Sequence, residues 1–211
     1  MSRATASQPT CLLLASASPR RLDLLRGIGL SPICRPSGLS EDERPGESPR
    51  ATVLRLAEAK GRAVAATLDP SEPACVVLAA DTAVVLQELM LGKPRDAIEA
   101  AEMLRSLRGR VHEVMTAVFL MRTDDGRAVC EIETSRVRFR DYDDETIRTY
   151  VAGGEPLDKA GAYGIQGGGA VLADRVEGSW TNVVGLPVER LEKWMKRIEI
   201  NLRNLRETNE A

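Results

Sequence analysis

The segment CLLLASASPRRLDLLRGIGL, residues 11–30, carries the patterns of a strand, a turn and a helix in close succession. Its apolar opening, CLLLAS, suits a buried strand. Ser18 then stands at a plausible N-cap position, and Pro19 follows at the first helical position, where the missing N–H of proline costs nothing. Leucine and isoleucine recur at helical spacing after it, and Gly27 or Gly29 can end the helix.

Helical and strand patterns continue along the rest of the chain. Apolar spacing predicts helices over residues 49–67, 97–107, 143–152 and 187–206. Apolar and β-branched runs predict strands over residues 75–86, 111–122, 128–140, 171–176 and 181–184. The first of these strands is expected to be interrupted at Asp81-Thr82. Elements mixed in this order fit an α/β or α+β fold with a central mixed β-sheet flanked by helices. One domain is predicted over residues 11–207, with tails at 1–10 and 208–211.

The composition excludes some classes of function. The chain has 211 residues, with 29 Lys and Arg against 31 Asp and Glu, so its formal net charge is −2. This balance differs from the basic footprint of a general nucleic-acid binder. Aromatic residues, at 3%, are too scarce for a base-stacking platform, whereas 43% hydrophobic residues suffice for a real core. A nucleic-acid polymer is therefore not expected as a partner.

No feature of the sequence points to a membrane or to export. Charged residues interrupt every apolar run before it reaches transmembrane length. The polar start of the chain precedes an apolar run that is too short for a signal peptide. The four cysteines are widely spaced without a CxxC pair, which is typical of reduced thiols rather than of a zinc site. We therefore expect a cytoplasmic location and no membrane partner.

The turn between the first strand and the first helix is one candidate site. Such a turn exposes backbone N–H groups, and a helix N-terminus favours anions. Arg20 and Arg21 add donors that fit phosphate oxygens. The alternative is a capped helix with two solvated arginines. The chain contains no Walker-type GxxxxGK[ST] loop.

Acidic residues form a second candidate site. Asp81 follows the apolar run VVLAA, and a carboxylate buried there needs a partner or a function. One of the loop acids Glu41, Asp42 and Glu43 could join Asp81 in binding a metal ion that prefers hard oxygen ligands. The alternatives are a structural pair between Asp81 and an arginine, and a solvated acidic loop.

Three lysines and one glycine-rich loop are further candidates. Lys60, Lys93 and Lys159 each stand beside a small or helix-breaking residue, and each could meet a phosphate as a point charge. The loop over residues 161–167 surrounds Gln166 with glycines that would let the backbone approach a ligand closely. The alternatives are solvated lysines and an ordinary flexible loop.

The single histidine and the last predicted helix are expected to be structural. His112 has no Ser or Cys elbow motif beside it, which argues against Ser-His-Asp chemistry. The last helix carries an apolar stripe made of Leu191, Trp194, Met195, Ile198 and Leu202. This stripe predicts a core contact or a dimer contact, so a homodimer is one expectation.

Several multi-residue blocks stand in a fixed order along the chain. Those of the first half are LLASASPRR (13–21), RLAEAKG (55–61), AADTAVVL (79–86) and LGKPRD (91–96), together with Glu41. Those of the second half are AAEMLRSLRGRVHEVMTAV (100–118), EPLDKAGAYGIQGGGA (155–170) and GSWTNVVGLP (178–187). In these blocks the chain resembles the Maf family of nucleoside triphosphate pyrophosphatases over nearly its whole length. Gly169 and Trp180 depart from the family pattern and bear on the shape of the base pocket.

The resemblance implies a hydrolase that converts a nucleoside triphosphate to the monophosphate and pyrophosphate, in a cleft between two lobes. The block DKAGAYGIQG resembles the pyrimidine subgroup, which acts on dTTP and UTP. The resemblance also implies that Asp81 is the proton acceptor and that Glu41 and Asp81 bind Mg²⁺ or Mn²⁺. The residues that would select the base are Arg20, Thr82 and Gln166. The residues that would meet the phosphates are Ser16, Arg21, Lys60, Lys93 and Lys159.

Two other functions are open at the level of the sequence. One is a non-catalytic nucleotide-binding regulator of septation or cell division, which would need the phosphate contacts but neither Asp81 nor a metal ion. The other is a general nucleotide phosphatase, which would release orthophosphate. The family further suggests that the enzyme clears modified pyrimidine triphosphates.

Overall fold

The computed structural model describes Pro9 and residues 11–42, 44–69 and 71–207. The tails predicted at residues 1–10 and 208–211 lie outside the described residues, apart from Pro9, and so does the loop acid Glu43. In the part that is described, no helix is long and apolar enough to cross a membrane.

Strands and helices alternate in the first half, and a long antiparallel pair dominates the second. The strands are β1 Cys11–Leu14, β2 Ile33–Cys34, β3 Cys75–Leu86, β4 Leu89–Leu91, β5 Val111–Arg122, β6 Ala128–Phe139 and β7 Ala173–Glu177. The helices are α1 Pro19–Gly27, α2 Pro49–Ala65, α3 Ala97–Leu107, α4 Asp144–Ala152, α5 Trp180–Val184, α6 Val188–Arg197 and α7 Asn204–Glu207. Three short 3₁₀ turns lie at Glu155–Asp158, Ala160–Ala162 and Gly168–Leu172.

The strands form one mixed sheet in the order β2-β1-β3-β5-β6-β7, with β4 also paired to β3. β1 runs parallel to β2 and β3, and the other pairs are antiparallel. Successive side chains of β3 point to opposite faces of the sheet. Val77 and Phe119 pack on one face with Val53 of α2, whereas Leu78 packs on the other with Leu191 of α6. The predicted mixed sheet flanked by helices is thus confirmed.

One edge of β3 has a gap. β5 pairs with β3 from Val76 to Val85 along one edge. On the opposite edge, β1 pairs with β3 only as far as Leu78, and the pairing of β3 with β4 starts only at Val84. The middle of β3 therefore has a sheet neighbour on one side and an opening on the other. Side chains from both faces of the sheet can reach this opening.

Several helices and strands begin or end at the residues that the sequence predicts. α1 begins at Pro19, although the Ser18 side chain makes no capping hydrogen bond. α2 begins at Pro49, and the Ser48 side chain accepts a hydrogen bond from the Ala51 N–H at 3.3 Å. The predicted bounds of α3 and β5 agree with the structure. The proline and N-cap signals therefore located both helix starts.

Three predictions about elements are wrong. β3 is not interrupted at Asp81-Thr82, because these residues pair with Ala117 and Thr116 of β5. Residues 181–184 form part of helix α5 instead of a strand. The Ser179 hydroxyl caps this helix by accepting a hydrogen bond from the Asn182 N–H at 2.8 Å. This local cap outweighs the β-branched pattern of the segment.

The third wrong prediction is the single long terminal helix. α6 ends at Arg197, where the N–H groups of Ile198 and Ile200 both donate to the Met195 carbonyl, at 3.1 and 3.0 Å. Glu199 between them adopts a positive φ of 56°. The resulting turn buries both isoleucines in the same core cluster as Leu191, Trp194 and Met195. The apolar stripe therefore forms a core contact, which is one of its two predicted roles, and the homodimer stays a prediction.

Candidate active site

A cleft of about 520 Å³ opens at the gap in the edge of β3. It is lined by the turn after β1, the loop after β2, the middle of β3, the glycine-rich segment before β7 and the end of α5. Every residue that the sequence analysis assigned to the site lines this cleft: Ser16, Arg20, Arg21, Glu41, Lys60, Asp81, Thr82, Lys93, Lys159 and Gln166. The structure thus brings these residues together, while their individual roles stay predictions.

An alternating chain of acids and lysines runs from the buried end of the cleft to its exposed side. Lys60 Nζ donates to Asp81 Oδ1 at 2.6 Å and to Glu41 Oε1 at 2.5 Å. Lys93 Nζ donates to the other oxygen of Glu41 at 3.2 Å. Asp81 and Lys60 are only 8% and 6% exposed. The buried Asp81 carboxylate therefore has a charged partner. That partner is a lysine, whereas the sequence had suggested an arginine.

Close packing of α2 on the sheet brings Lys60 to Asp81. Gly61 follows Lys60 in α2, and a Cβ atom at Gly61 would overlap the ring of Phe119 in β5. Only glycine lets the helix lie this close to the sheet. Asp81 occurs on the face of β3 that α2 covers, with Ala79 and Ala83 beside it on the same face. These small neighbours leave room for a lysine to cross the interface.

Burial and charge move the pKa values of the two carboxyl groups in opposite directions. Burial raises the pKa of Asp81 above its ordinary value, although the charge of Lys60 opposes the change. Burial also acts to raise the pKa of Glu41. There the hydrogen bond and charge of Lys60, together with Lys93, outweigh burial and leave the pKa lowered. Asp81 is therefore the more basic carboxylate, and a raised pKa suits a proton acceptor.

Arg21 is held in place by three hydrogen bonds. Its Nη1 donates to Ser16 Oγ at 3.0 Å, its Nη2 to Thr82 Oγ1 at 3.1 Å and its Nε to the Gly185 carbonyl at 2.9 Å. A guanidinium group has five N–H donors, so two stay available for a phosphate. Arg20 reaches toward Asp158 instead, with an N···O distance of 3.9 Å. Three hydrogen bonds therefore hold the Arg21 side chain in place, whereas Arg20 makes one long ion pair.

The glycine-rich segment is fixed by residues that the sequence analysis did not select. The Glu155 carboxylate accepts hydrogen bonds from the Gly168 N–H at 2.8 Å and the Tyr150 hydroxyl at 3.2 Å. The Tyr150 oxygen in turn accepts from the Gly164 N–H at 3.0 Å. Gln166 lies between these two anchored glycines and is exposed. The only signal for Glu155 was its place at the start of the EPLDKAG block.

Lys159 already has partners within the chain. Its Nζ donates to the Glu155 carbonyl at 2.6 Å and to the Asp158 carboxylate at 2.7 Å. A phosphate would have to compete with this carboxylate for Lys159, as it would with the Glu41 and Asp81 carboxylates for Lys60. Among the loop acids, Asp42 is not part of the cleft lining, and its carbonyl accepts a hydrogen bond from Arg55 at 3.2 Å.

His112 is structural, as its sequence context predicted. It is 2% exposed, and its Nε2 lies 2.8 Å from the Tyr163 hydroxyl oxygen. The ring packs edge-on against Phe139. Burial lowers the pKa of His112 to about 4, so the ring is neutral at physiological pH.

The acidic side chains of the cleft determine whether it can hold a divalent metal ion. Within the described ranges, no three His, Cys, Asp or Glu side chains cluster closely enough to form a metal site. The Glu41 and Asp81 carboxylates do converge on one point, the Lys60 ammonium group. Mg²⁺ is often bound by one or two carboxylates and completes its shell with water and substrate phosphates. The two carboxylates therefore fit such an ion, provided that the ion competes with the Lys60 ammonium group.

Comparison with known proteins agrees with the geometry. A family model described as "Maf-like protein" matches residues 11–198. A protein of Syntrophomonas wolfei called dTTP/UTP pyrophosphatase is 45% identical over 189 residues, which cover 90% of this chain and 98% of the relative. Proteins of the same name are 48% identical in Anaeromyxobacter dehalogenans (88% of this chain, 93% of the relative) and 40% identical in Dictyoglomus thermophilum (90% and 97%). The chain belongs to the Maf-like protein family.

Proposed function

We propose that this chain is a nucleoside triphosphate pyrophosphatase that hydrolyses dTTP and UTP to the monophosphate and pyrophosphate. The observation that carries the proposal is the buried Asp81 carboxylate, held by Lys60 at the end of a cleft that also contains Arg20, Arg21 and Lys93. A basic carboxylate beside several cations suits attack of water on a polyphosphate. The name shared by relatives that align with most of the chain supports the same substrates.

In this mechanism the protein positions charge and accepts one proton. The Arg21 guanidinium and the Lys93 ammonium neutralise negative charge on the triphosphate as the bond to the leaving pyrophosphate breaks. A water molecule attacks the α-phosphorus in line with that bond, and Asp81 takes the water proton. Lys60 orients Asp81 for this transfer. The raised pKa of Asp81 makes it a better base than an ordinary aspartate.

We further propose that Glu41 and Asp81 bind Mg²⁺ or Mn²⁺ together with the substrate phosphates. Their oxygen ligands are of the kind that these ions prefer. When bound, such an ion neutralises phosphate charge and makes a coordinated water more acidic. Arg20, Thr82 and Gln166 are proposed to select the pyrimidine base. The proposed location is the cytoplasm, with which the free thiols of all four cysteines are compatible.

A panel of nucleotides tests the proposal. The purified chain is incubated with dTTP, UTP, CTP or GTP and Mg²⁺, with and without EDTA, and pyrophosphate and orthophosphate are quantified separately. Release of pyrophosphate from dTTP and UTP that stops with EDTA is the expected result. Release of orthophosphate would instead identify a phosphatase. Tight nucleotide binding without turnover would favour the non-catalytic regulator.

A further inference from the structure

A relay of hydrogen bonds runs from the cleft into the core beside Thr82. Arg21 Nη2 donates to Thr82 Oγ1 at 3.1 Å, and Thr82 Oγ1 lies 2.9 Å from Thr116 Oγ1. Thr116 Oγ1 donates to the Asn182 backbone carbonyl at 3.0 Å. The sequence analysis selected neither Thr116 nor Asn182. Both are completely buried, whereas Thr82 lines the cleft.

The chemistry of the partners fixes the direction of each hydrogen bond in the relay. A carbonyl can only accept, so the single hydroxyl proton of Thr116 is committed to Asn182. Thr116 must therefore accept in its other contact, and Thr82 must donate its own proton to Thr116. A guanidinium can only donate, so Arg21 occupies one lone pair of Thr82. Thr82 is left with one free lone pair and no free proton.

The buried end of the relay is held rigidly. Asn182 Nδ2 donates to the Val114 carbonyl at 2.9 Å and to Ser135 Oγ at 3.0 Å. The Asn182 N–H donates to Ser179 Oγ, and the Asn182 carbonyl also accepts from the Gly185 N–H at 3.0 Å. These contacts tie α5 to β5 and β6. Asn182 thus cannot rotate its carbonyl away and release the Thr116 proton without breaking several buried hydrogen bonds.

We propose that Thr116 is a positioning residue for base selection, because it turns Thr82 into a pure hydrogen-bond acceptor toward the cleft. Uracil and thymine carry a hydrogen-bond donor, N3–H, at the position where cytosine presents the lone pair of N3. Because Thr82 offers only a lone pair to the cleft, it can accept a hydrogen bond from the N3–H of uracil or thymine. It repels cytosine, whose N3 also offers a lone pair. The inference rests on the proposed function and on the place of Thr82 in the base pocket.

The test compares UTP with CTP, whose bases differ only in the donor pattern of the same edge. Thr116→Val removes the hydroxyl at nearly constant volume, and Thr116→Ser keeps it. In Thr116→Val the Thr82 proton is released, and Thr82 can turn it toward a cytosine N3. We expect the ratio of kcat/KM for UTP over CTP to fall by about tenfold in Thr116→Val, which corresponds to roughly 1.4 kcal/mol. The ratio for Thr116→Ser should stay within about twofold of the unaltered chain.

Equilibrium binding separates this inference from the proposed function. Calorimetric titration with the α,β-imido analogues of UTP and CTP gives the ratio of their dissociation constants. This ratio can be measured whether or not the chain turns over nucleotide. If the chain hydrolyses neither nucleotide, the proposed function fails while the binding ratio still tests Thr116. A ratio that is unchanged in Thr116→Val, or that falls equally in Thr116→Ser, would overturn the inference. Thr116→Ala provides a second hydroxyl-free variant should the valine variant not fold. A purely structural role of Thr116 would weaken the binding of both nucleotides equally and leave the ratio unchanged.

Discussion

Replacing Lys60 by methionine tests the buried acid–lysine pair most directly. Methionine keeps most of the length and apolar stem of lysine but removes the ammonium group. Asp81, which is 8% exposed, then loses the partner at 2.6 Å that opposes the effect of burial on its pKa. We expect the pKa of Asp81 to rise further and the folded state to lose stability at neutral pH.

The magnitude follows from the burial of both members of the pair. Leaving one charge of a buried ion pair without its partner costs about 3–5 kcal/mol. For a domain of this size, that loss corresponds to a melting temperature lower by about 6–20 °C. The matched control is Lys93→Met, because the Lys93 side chain is 58% exposed where it contacts the same Glu41. Breaking such an exposed contact should cost less than about 1 kcal/mol.

The loss in Lys60→Met should also depend on pH, with a defined sign. The pKa of Asp81 is raised in the folded state, so ionised Asp81 destabilises the fold above that pKa and protonated Asp81 does not. The difference in free energy of unfolding between Lys60→Met and the unaltered chain should therefore shrink as the pH is lowered from neutral. Urea unfolding in EDTA, followed by tryptophan fluorescence, measures both values. A loss no larger than that of Lys93→Met, or one that grows on acidification, would refute the reasoning.

Three further changes probe other parts of the site. Asp81→Asn should lower the turnover of dTTP by at least about 100-fold without unfolding the chain, measured as pyrophosphate release and by circular dichroism; near-normal turnover would rule out Asp81 as the proton acceptor. Gly61→Ala should cost about 1–3 kcal/mol in urea unfolding because the new methyl group overlaps the Phe119 ring, and a stabilised variant would contradict the packing argument. Glu155→Ala leaves the Gly168 N–H without its acceptor, so the KM for dTTP should rise by about tenfold while kcat changes less; an unchanged KM would show that this anchor does not position Gln166.

The parts of the fold that the sequence predicted well are those in which local signals and tertiary packing agree. α3 and β5 have long periodic patterns, and α1 and α2 begin where proline follows a serine. The prediction fails where a side-chain cap or a contact with another element decides the outcome. Three of the four residues 181–184 are β-branched and favour a strand, yet the Ser179 cap and the contact between Thr116 and the Asn182 carbonyl hold the segment in a helix.

The candidate site was predictable as a set of residues but not as an arrangement. Asp81 was recognisable on its own, because a carboxylate after an apolar run needs a partner. Glu41 was one of three loop acids considered as metal ligands, and Lys60 was one of three lysines considered as phosphate contacts. Spacing alone could not show that Glu41 and Asp81 both meet the Lys60 ammonium group. Thr116 acts through contacts with Thr82 and Asn182, which are 34 and 66 residues away, so no local pattern identifies it. Glu155 contacts the nearby Tyr150 and Gly168, but no motif marks these contacts in the sequence.

The register between β3 and β5 also determines on which face of the sheet Asp81 and Thr82 lie. Thr82 lies opposite Thr116 and Asp81 opposite Ala117 in this ladder. A slip by a single residue would reverse the face to which every side chain of β3 points. Asp81 would then leave Lys60 for the side of Arg21, and Thr82 would face α2. A one-residue insertion or deletion within β3 should therefore abolish hydrolysis and base selection together, even where the sheet itself survives, so this strand tolerates substitution far better than a change of length.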